Sequence, residues 1–154
     1  MKKLWWGVLA LTAWEGGWWF RRRMLRQSLY AAAQARAVVL GRPLVVVGAP
    51  DGGVTAGYGC GDVTVDLAGS MCPRTLSADI TQPLPFEDNS VVVFVACVLE
   101  YVSDAERATA ELLRISGGQL YIVRVEPWTL TAYLYPGARR TIKRANLPAS
   151  VKMG

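Results

Sequence analysis

At 154 residues the chain is long enough for one buried core and too short for two, and 52% hydrophobic against 19% charged residues excludes a disordered polymer. The formal charge of +5 is gathered into clusters, Lys2-Lys3, Arg21-Arg22-Arg23 with Arg26, and Arg139-Arg140 with Lys143-Arg144, which suit anionic lipid, nucleic acid or solvated helix ends. There is no histidine, so Ser-His-Asp hydrolysis, histidine-based metal sites and the commonest neutral-pH base are excluded; the three cysteines, Cys60, Cys72 and Cys97, show neither zinc-like pairing nor an even count, so no metal is expected and they are read as reduced thiols in an intracellular compartment.

Residues 4–20 read LWWGVLALTAWEGGWWF, with five of the six tryptophans near the two edges of an apolar run flanked by basic residues. Tryptophan at both edges with basic flanks is what a bilayer interface favours. The run lies at the bottom of the spanning range, and Glu15 with Gly16-Gly17 interrupts it. A triple arginine follows rather than a small-residue cleavage site, which argues against a signal peptide. Residues 1–20 are therefore expected to be a Trp-rich anchor or arm: a short membrane anchor, an interfacial helix, an arm on a protein partner, or a helix folded over the domain's own core. Arg21-Arg22-Arg23 is a candidate site for anionic lipid. The heavier arginine cluster favours a membrane-associated chain with its domain facing the cytoplasm, and a cytoplasmic one otherwise.

Residues 21–42 are expected to be a leading helix, with Ala31-Ala32-Ala33, the spacing of Leu25, Leu29, Ala32 and Arg36, and a stop at Gly41 and Pro43. It should cover one face of a sheet built by residues 43–154. In that domain Leu44–Val47 is an unbroken apolar run ending at Gly48, which suits a strand buried on both faces. A glycine-rich stretch, GAPDGGVTAGYGCGD, leads to a second strand, Val63-Thr64-Val65-Asp66.

Leu84-Pro85-Phe86 and Glu87-Asp88-Asn89-Ser90 form a loop by their turn chemistry. Val91–Val95 then reads as a buried central strand. Ser103-Asp104-Ala105-Glu106 has the form of a capping box, with Ser103 as N-cap. The helix after it places Ala105, Ala108, Leu112 and Ile115 on one stripe. Gly117-Gly118 ends that helix, and Leu120–Val123 is the fifth strand.

From residue 78 to 118 the chain reads ADITQPLPFEDNSVVVFVACVLEYVSDAERATAELLRISGG. That stretch resembles the second half of a class I S-adenosylmethionine-dependent methyltransferase, in its LPF-x-DNS lead-in, its Val98-Leu99-Glu100-Tyr101-Val102 segment and its ELLRISGGQLYIV run. Glu126-Pro127-Trp128 and Gly137-Ala138-Arg139-Arg140 resemble the ending of a bacterial subgroup. The resemblance implies an α/β, Rossmann-like, mostly parallel sheet of strand order 3-2-1-4-5, truncated at its end and preceded by an N-terminal apolar helix. It also implies an S-adenosylmethionine site whose cofactor-binding residues are Gly48, Gly52, Asp66, Asp79, Ile80, Ala96 and Tyr101. Gly48 and Gly52 would belong to the loop beneath the methionine part of the cofactor, where a side chain would collide. Asp66 would accept from the ribose hydroxyls, and Asp79 would take the adenine amino group.

The chain departs from the family in three places. The family fits a helix between its first two strands, whereas VTAGYGCGD carries glycines at 57, 59 and 61, each costing a helix roughly 1 kcal/mol against alanine. Val91-Val92 stand where many relatives have an aromatic residue and an acid. No pair of antiparallel strands is evident after the fifth strand. Two readings follow: a methyltransferase of unknown substrate, and a catalytically inactive methyltransferase fold serving as a membrane-tethered structural or interaction subunit. Nucleic acid is set aside, because the basic clusters lack the interleaved aromatics of a stacking platform.

Overall fold

The computed structural model describes residues 2–50, 57–124 and 151–154, and within the first of these the side chains of Trp5 and of the residues from Leu9 onward. Helix α1 runs Lys2–Leu40, followed by β1 (Leu44–Val47), β2 (Val63–Asp66), β3 (Thr75–Ser77), β4 (Val92–Ala96), α2 (Ala105–Ser116), β5 (Leu120–Val123) and β6 (Lys152–Met153). The strands form one sheet of order β3-β2-β1-β4-β5-β6, and every neighbouring pair is parallel. This is an α/β, Rossmann-like architecture, in which the strand order reverses between β1 and β4.

Strand periodicity divides the core into two layers. Val45, Val47, Val93, Val95, Leu120 and Ile122 point to one face and pack under Ala108, Leu112 and Ile115 of α2. Leu44, Val46, Val92, Phe94, Tyr121 and Val123 point to the other, where Ala33 and Ala37 of α1 bring that helix close to the sheet. Because β1, β4 and β5 are covered on both sides, every one of their residues is buried. Such continuous burial is why they read as unbroken apolar runs.

The direction of α1 is set by three contacts. Arg36 Nε donates to Gln119 Oε1 at 2.8 Å, just before β5 begins. Tyr30 stacks edge-on against Phe94 in the middle of β4, with ring centres 5.4 Å apart. Arg26 Nη2 donates to Cys97 Sγ at 3.5 Å, just beyond the end of β4. Thus α1 runs antiparallel to the strands, and its amino-terminal half leaves the domain past their carboxyl ends. It does not fold back over the core: from Trp5 to Phe20 the described side chains are exposed, except Glu15 and Trp18, which are half-buried. The helix continues through Gly16-Gly17 without a break.

Four sequence expectations change. Cys60 and Cys72, expected as reduced thiols, form a disulfide with Cα atoms 5.7 Å apart, leaving Cys97 as the free cysteine. The two cysteines flank β2, so the strand itself brings them together; an odd count of three concealed the pair. The N-cap of α2 is Asp104 rather than Ser103, its carboxylate accepting from Arg107 N at 3.0 Å. Val91 precedes β4 instead of opening it, and the strand extends to Ala96. The sheet also gains β6, which pairs with β5 in parallel, where no strand was evident in the sequence. Between β1 and β2, residues 57–62 hold no helix, as the glycines led us to expect.

The loop before β4 is held by one side chain. Arg114 on α2 donates through Nη1 to Asp88 Oδ1 and to the carbonyl of Phe86, and through Nη2 to the carbonyl of Leu84. Its Nε and Nη2 also grip both oxygens of Glu111, whose Oε1 in turn accepts from Leu84 N at 2.7 Å. The resemblance of LPFED and ELLR to a family pattern therefore has a structural cause. The two segments form one hydrogen-bonded unit.

Candidate functional site

In an open parallel sheet, ligands bind in the crevice beyond the carboxyl ends of the strands where the order reverses. A cavity of about 390 Å³ lies there, lined from the ends of β1 and β2, from the segment after β3 and from the turn that precedes α2. Its size is within the range of small-molecule sites.

Gly48 forms the floor. It follows β1 with φ of +95°, and its N–H donates to the Val65 carbonyl at 2.9 Å, tying the ends of β1 and β2 together. A Cβ built on it would lie 2.6 Å from Val98 Cγ2. Glycine is thus required both by the backbone angle and by the approach of Val98. Asp66 ends β2, half-buried on the cavity wall. Its Oδ1 accepts from Ala68 N at 2.9 Å, which bends the chain away and orients the carboxylate. Among the described residues Oδ2 has no hydrogen-bond partner.

Asp79 stands on the next loop over. Its Oδ1 accepts from both the N–H and the hydroxyl of Thr81, at 2.9 and 2.8 Å. These bonds hold its carboxyl below the ordinary aspartate range, the Thr81 backbone N–H contributing most and its hydroxyl next. An ionised Asp79 is acceptor-only, and its Oδ2 has no partner among the described residues. Ile80 beside it is buried and, with Val98 and Val102, lends the cavity an apolar wall. Tyr101 lines the same cavity from the turn after β4.

The structure therefore brings Gly48, Asp66, Asp79, Ile80 and Tyr101 to one cleft. It does not bring Ala96 there: the Ala96 side chain packs in the α1-side layer. Its carbonyl oxygen does approach Gly48, lying 3.7 Å from the Cβ that residue lacks. Gly52 lies outside the described residues, as do Asp51 and the segments at 126–128 and 137–140. Sequence reasoning missed Val98, Val102 and Thr81. The first two sit in the VLEYV segment, where the apolar positions gave a signal; the role of Thr81 depends on a local turn that nothing in the spelling marks. Val92, the position where the sequence departs from an acid, pairs with Leu44 at the other end of β4 and is buried under α1. It has no part in this cleft.

The chemistry of the cleft is that of a binding slot with two carboxylate acceptors, Asp66 and Asp79, and apolar walls. Among the described residues no arginine or lysine lines it, and the two carboxylates favour a cationic or hydroxyl-rich ligand over an anion. Among the described residues no group of histidine, cysteine, aspartate and glutamate is placed to hold a metal. A second cavity, of about 490 Å³, lies among the amino ends of the strands, with Arg42, Asp62 and Arg74 on its walls. There Asp62 Oδ2 already accepts from Leu44 N at 2.7 Å, a structural bond.

Comparison with known families gives one match: a family profile described as a methyltransferase domain aligns with residues 55–122. That span covers β2, β3, β4, α2 and most of β5, and with them four of the five residues gathered at the cleft. A search of curated proteins returned no match, and neither did a search of solved structures.

Proposed function

We propose, from the match of residues 55–122 to a methyltransferase-domain profile, that the chain is a class I S-adenosylmethionine-dependent methyltransferase whose cleft binds S-adenosylmethionine and serves methyl transfer to an acceptor whose identity is open. The observation that carries the reading is the convergence of Gly48, Asp66 and Asp79 on one cavity of about 390 Å³ at the reversal of strand order.

The residues present fit that cofactor. Asp66 Oδ2 suits a ribose diol, which needs an ionised acceptor at the end of the second strand. Asp79, kept ionised by Thr81, suits the exocyclic amine of adenine, and Ile80 with Val98 offers apolar surface to the ring. Gly48, whose lack of a Cβ admits Val98 to the cavity wall, lines the cleft at the end of β1. When bound, the cofactor supplies an electrophilic methyl group on a sulfonium, and the two carboxylates of the lining suit that positive centre. Methyl transfer is an in-line displacement in which positioning does most of the work. The absence of histidine is therefore no obstacle.

The second reading, a methyltransferase fold kept as a structural or interaction subunit, draws support from the lining itself. Apart from Asp66 and Asp79, both assigned to the cofactor, Tyr101 is the one titratable side chain among the described residues of the cavity, which gives the lining little means of activating an acceptor. Equilibrium dialysis of the full chain against radiolabelled S-adenosylmethionine tests the first reading. Saturable retention displaced by S-adenosylhomocysteine is expected, and label that equalises across the membrane refutes it. Label appearing in extracted acceptors then separates an active enzyme from a cofactor-binding subunit.

A further inference from the structure

The cofactor reading leaves the amino-terminal half of α1 without a task. Trp5 is 69% exposed, Trp14 55% and Phe20 59%, with Leu9 and Leu11 exposed beside them. These residues are spread around the helix instead of forming a stripe, and a helix apolar on all sides belongs in an apolar medium. Yet no helix among the described residues is long and apolar enough to cross a membrane. The composition explains the difference, because indole rings prefer the headgroup zone to the hydrocarbon centre.

Charge points the same way. Residues 1–26 contain six basic side chains, Lys2, Lys3, Arg21, Arg22, Arg23 and Arg26, against one acid, Glu15, a surplus equal to the formal +5 of the whole chain. The cations stand beside the indoles: the Arg21 guanidinium lies 5.2 Å from the Trp18 ring centre and that of Arg23 5.9 Å from Trp19. A Trp-Arg collar of this kind matches the depth at which phosphates meet acyl chains.

We infer that residues 2–21 dock the chain on an anionic phospholipid surface, the helix lying in the headgroup and upper acyl region of one leaflet. Since α1 leaves the domain past the carboxyl ends of the strands, the cleft lies at the end of the domain from which the docked segment emerges. Resting on the cofactor reading, this makes the methyl acceptor a molecule resident in or at that surface. The docking itself stands independently of that clause.

The test is co-sedimentation of the full chain with phosphatidylcholine vesicles, with and without phosphatidylglycerol. Sedimentation with the anionic vesicles that declines as salt is added is expected. Joint replacement Lys2→Glu, Lys3→Glu and Arg21→Glu should weaken it at least about tenfold. The variant Trp5→Ala, Trp14→Ala, Trp19→Ala, at exposed positions, should abolish it along with the blue shift of tryptophan emission. Equal sedimentation with neutral vesicles overturns the proposal. So does its absence, including the case in which the chain instead forms a dimer that the tryptophan replacements dissolve. Titration of the same variants with S-adenosylhomocysteine keeps the two readings apart, because exposed residues of the arm should leave that affinity unchanged.

Discussion

Val98 occupies the space into which a side chain on Gly48 would have to extend: a Cβ there would meet Val98 Cγ2 at 2.6 Å. The contact joins the end of β1 to the turn before α2, the two sides of the strand-order reversal. Gly48→Ala must move Val98 or the backbone and must also hold alanine at φ of +95°. We expect a loss of about 2–3 kcal/mol in urea unfolding, together with loss of ligand binding. Gly41→Ala is the control, since its φ is +61° but nothing lies within 4 Å of the added Cβ; about 1 kcal/mol is expected there.

The Arg114 network makes a prediction about pH. Hydrogen bonding from Arg114 holds the Glu111 carboxyl below its ordinary range, and the Asp79 carboxyl is held down by Thr81. A carboxyl with a lowered folded-state pKa stabilises the fold fully above its unfolded value and loses that contribution as the pH falls through the folded one. Thermal unfolding should therefore be insensitive to these groups near neutrality, with the melting temperature dropping progressively below about pH 4.3. Glu111→Gln should lower the melting temperature at pH 7 by a few degrees and flatten this acid limb. An unchanged limb would remove Glu111 from the account.

The Cys60–Cys72 bond encloses β2 and the start of the loop that carries Ala68 and Leu67. Thiol titration of the denatured, unreduced chain should find one free cysteine, Cys97, and three after reduction. Loss of the bond in Cys60→Ser, Cys72→Ser should cost about 2–4 kcal/mol, roughly 10 °C in melting temperature for a chain of this size. Three thiols before reduction would contradict the pairing.

Burial raises the Cys97 thiol above its ordinary range, outweighing the attraction of the nearby Arg26. Alkylation by iodoacetamide at pH 7 should accordingly be much slower than that of free cysteine, accelerating as the pH rises or when the chain is denatured. A rate equal to free cysteine in the native chain would contradict that burial.

Much of the sheet was legible in the sequence because it is short-range information. Leu44–Val47, Val63–Asp66 and Leu120–Val123 are apolar or alternating runs with glycine or polar punctuation, and each became the strand it spelled. β6 was not legible: Lys152–Met153 has no strand pattern, and its existence depends on pairing with β5 across a long separation. The disulfide was hidden for the same reason, since its partners meet only once β2 is in place between them. Asp104 and Ser103 are about equal as caps, and spelling alone could not rank them. At the cleft, the acids were legible from their position after short strands. Thr81, which orients Asp79, was not. The departure at Val92 suggested damage to the site until the register showed that it begins β4 beside Leu44, at the end of the strand remote from the cleft.

The central claim is that the cleft joining Gly48, Asp66 and Asp79 holds S-adenosylmethionine, and calorimetric titration of the full chain with S-adenosylhomocysteine tests it most directly. The account predicts saturable one-site binding that Asp66→Ala weakens by about tenfold or more, while Glu106→Ala, on the exposed side of α2, leaves it unchanged. No saturable heat at millimolar ligand, or an Asp66→Ala isotherm that overlays the parent, would contradict it.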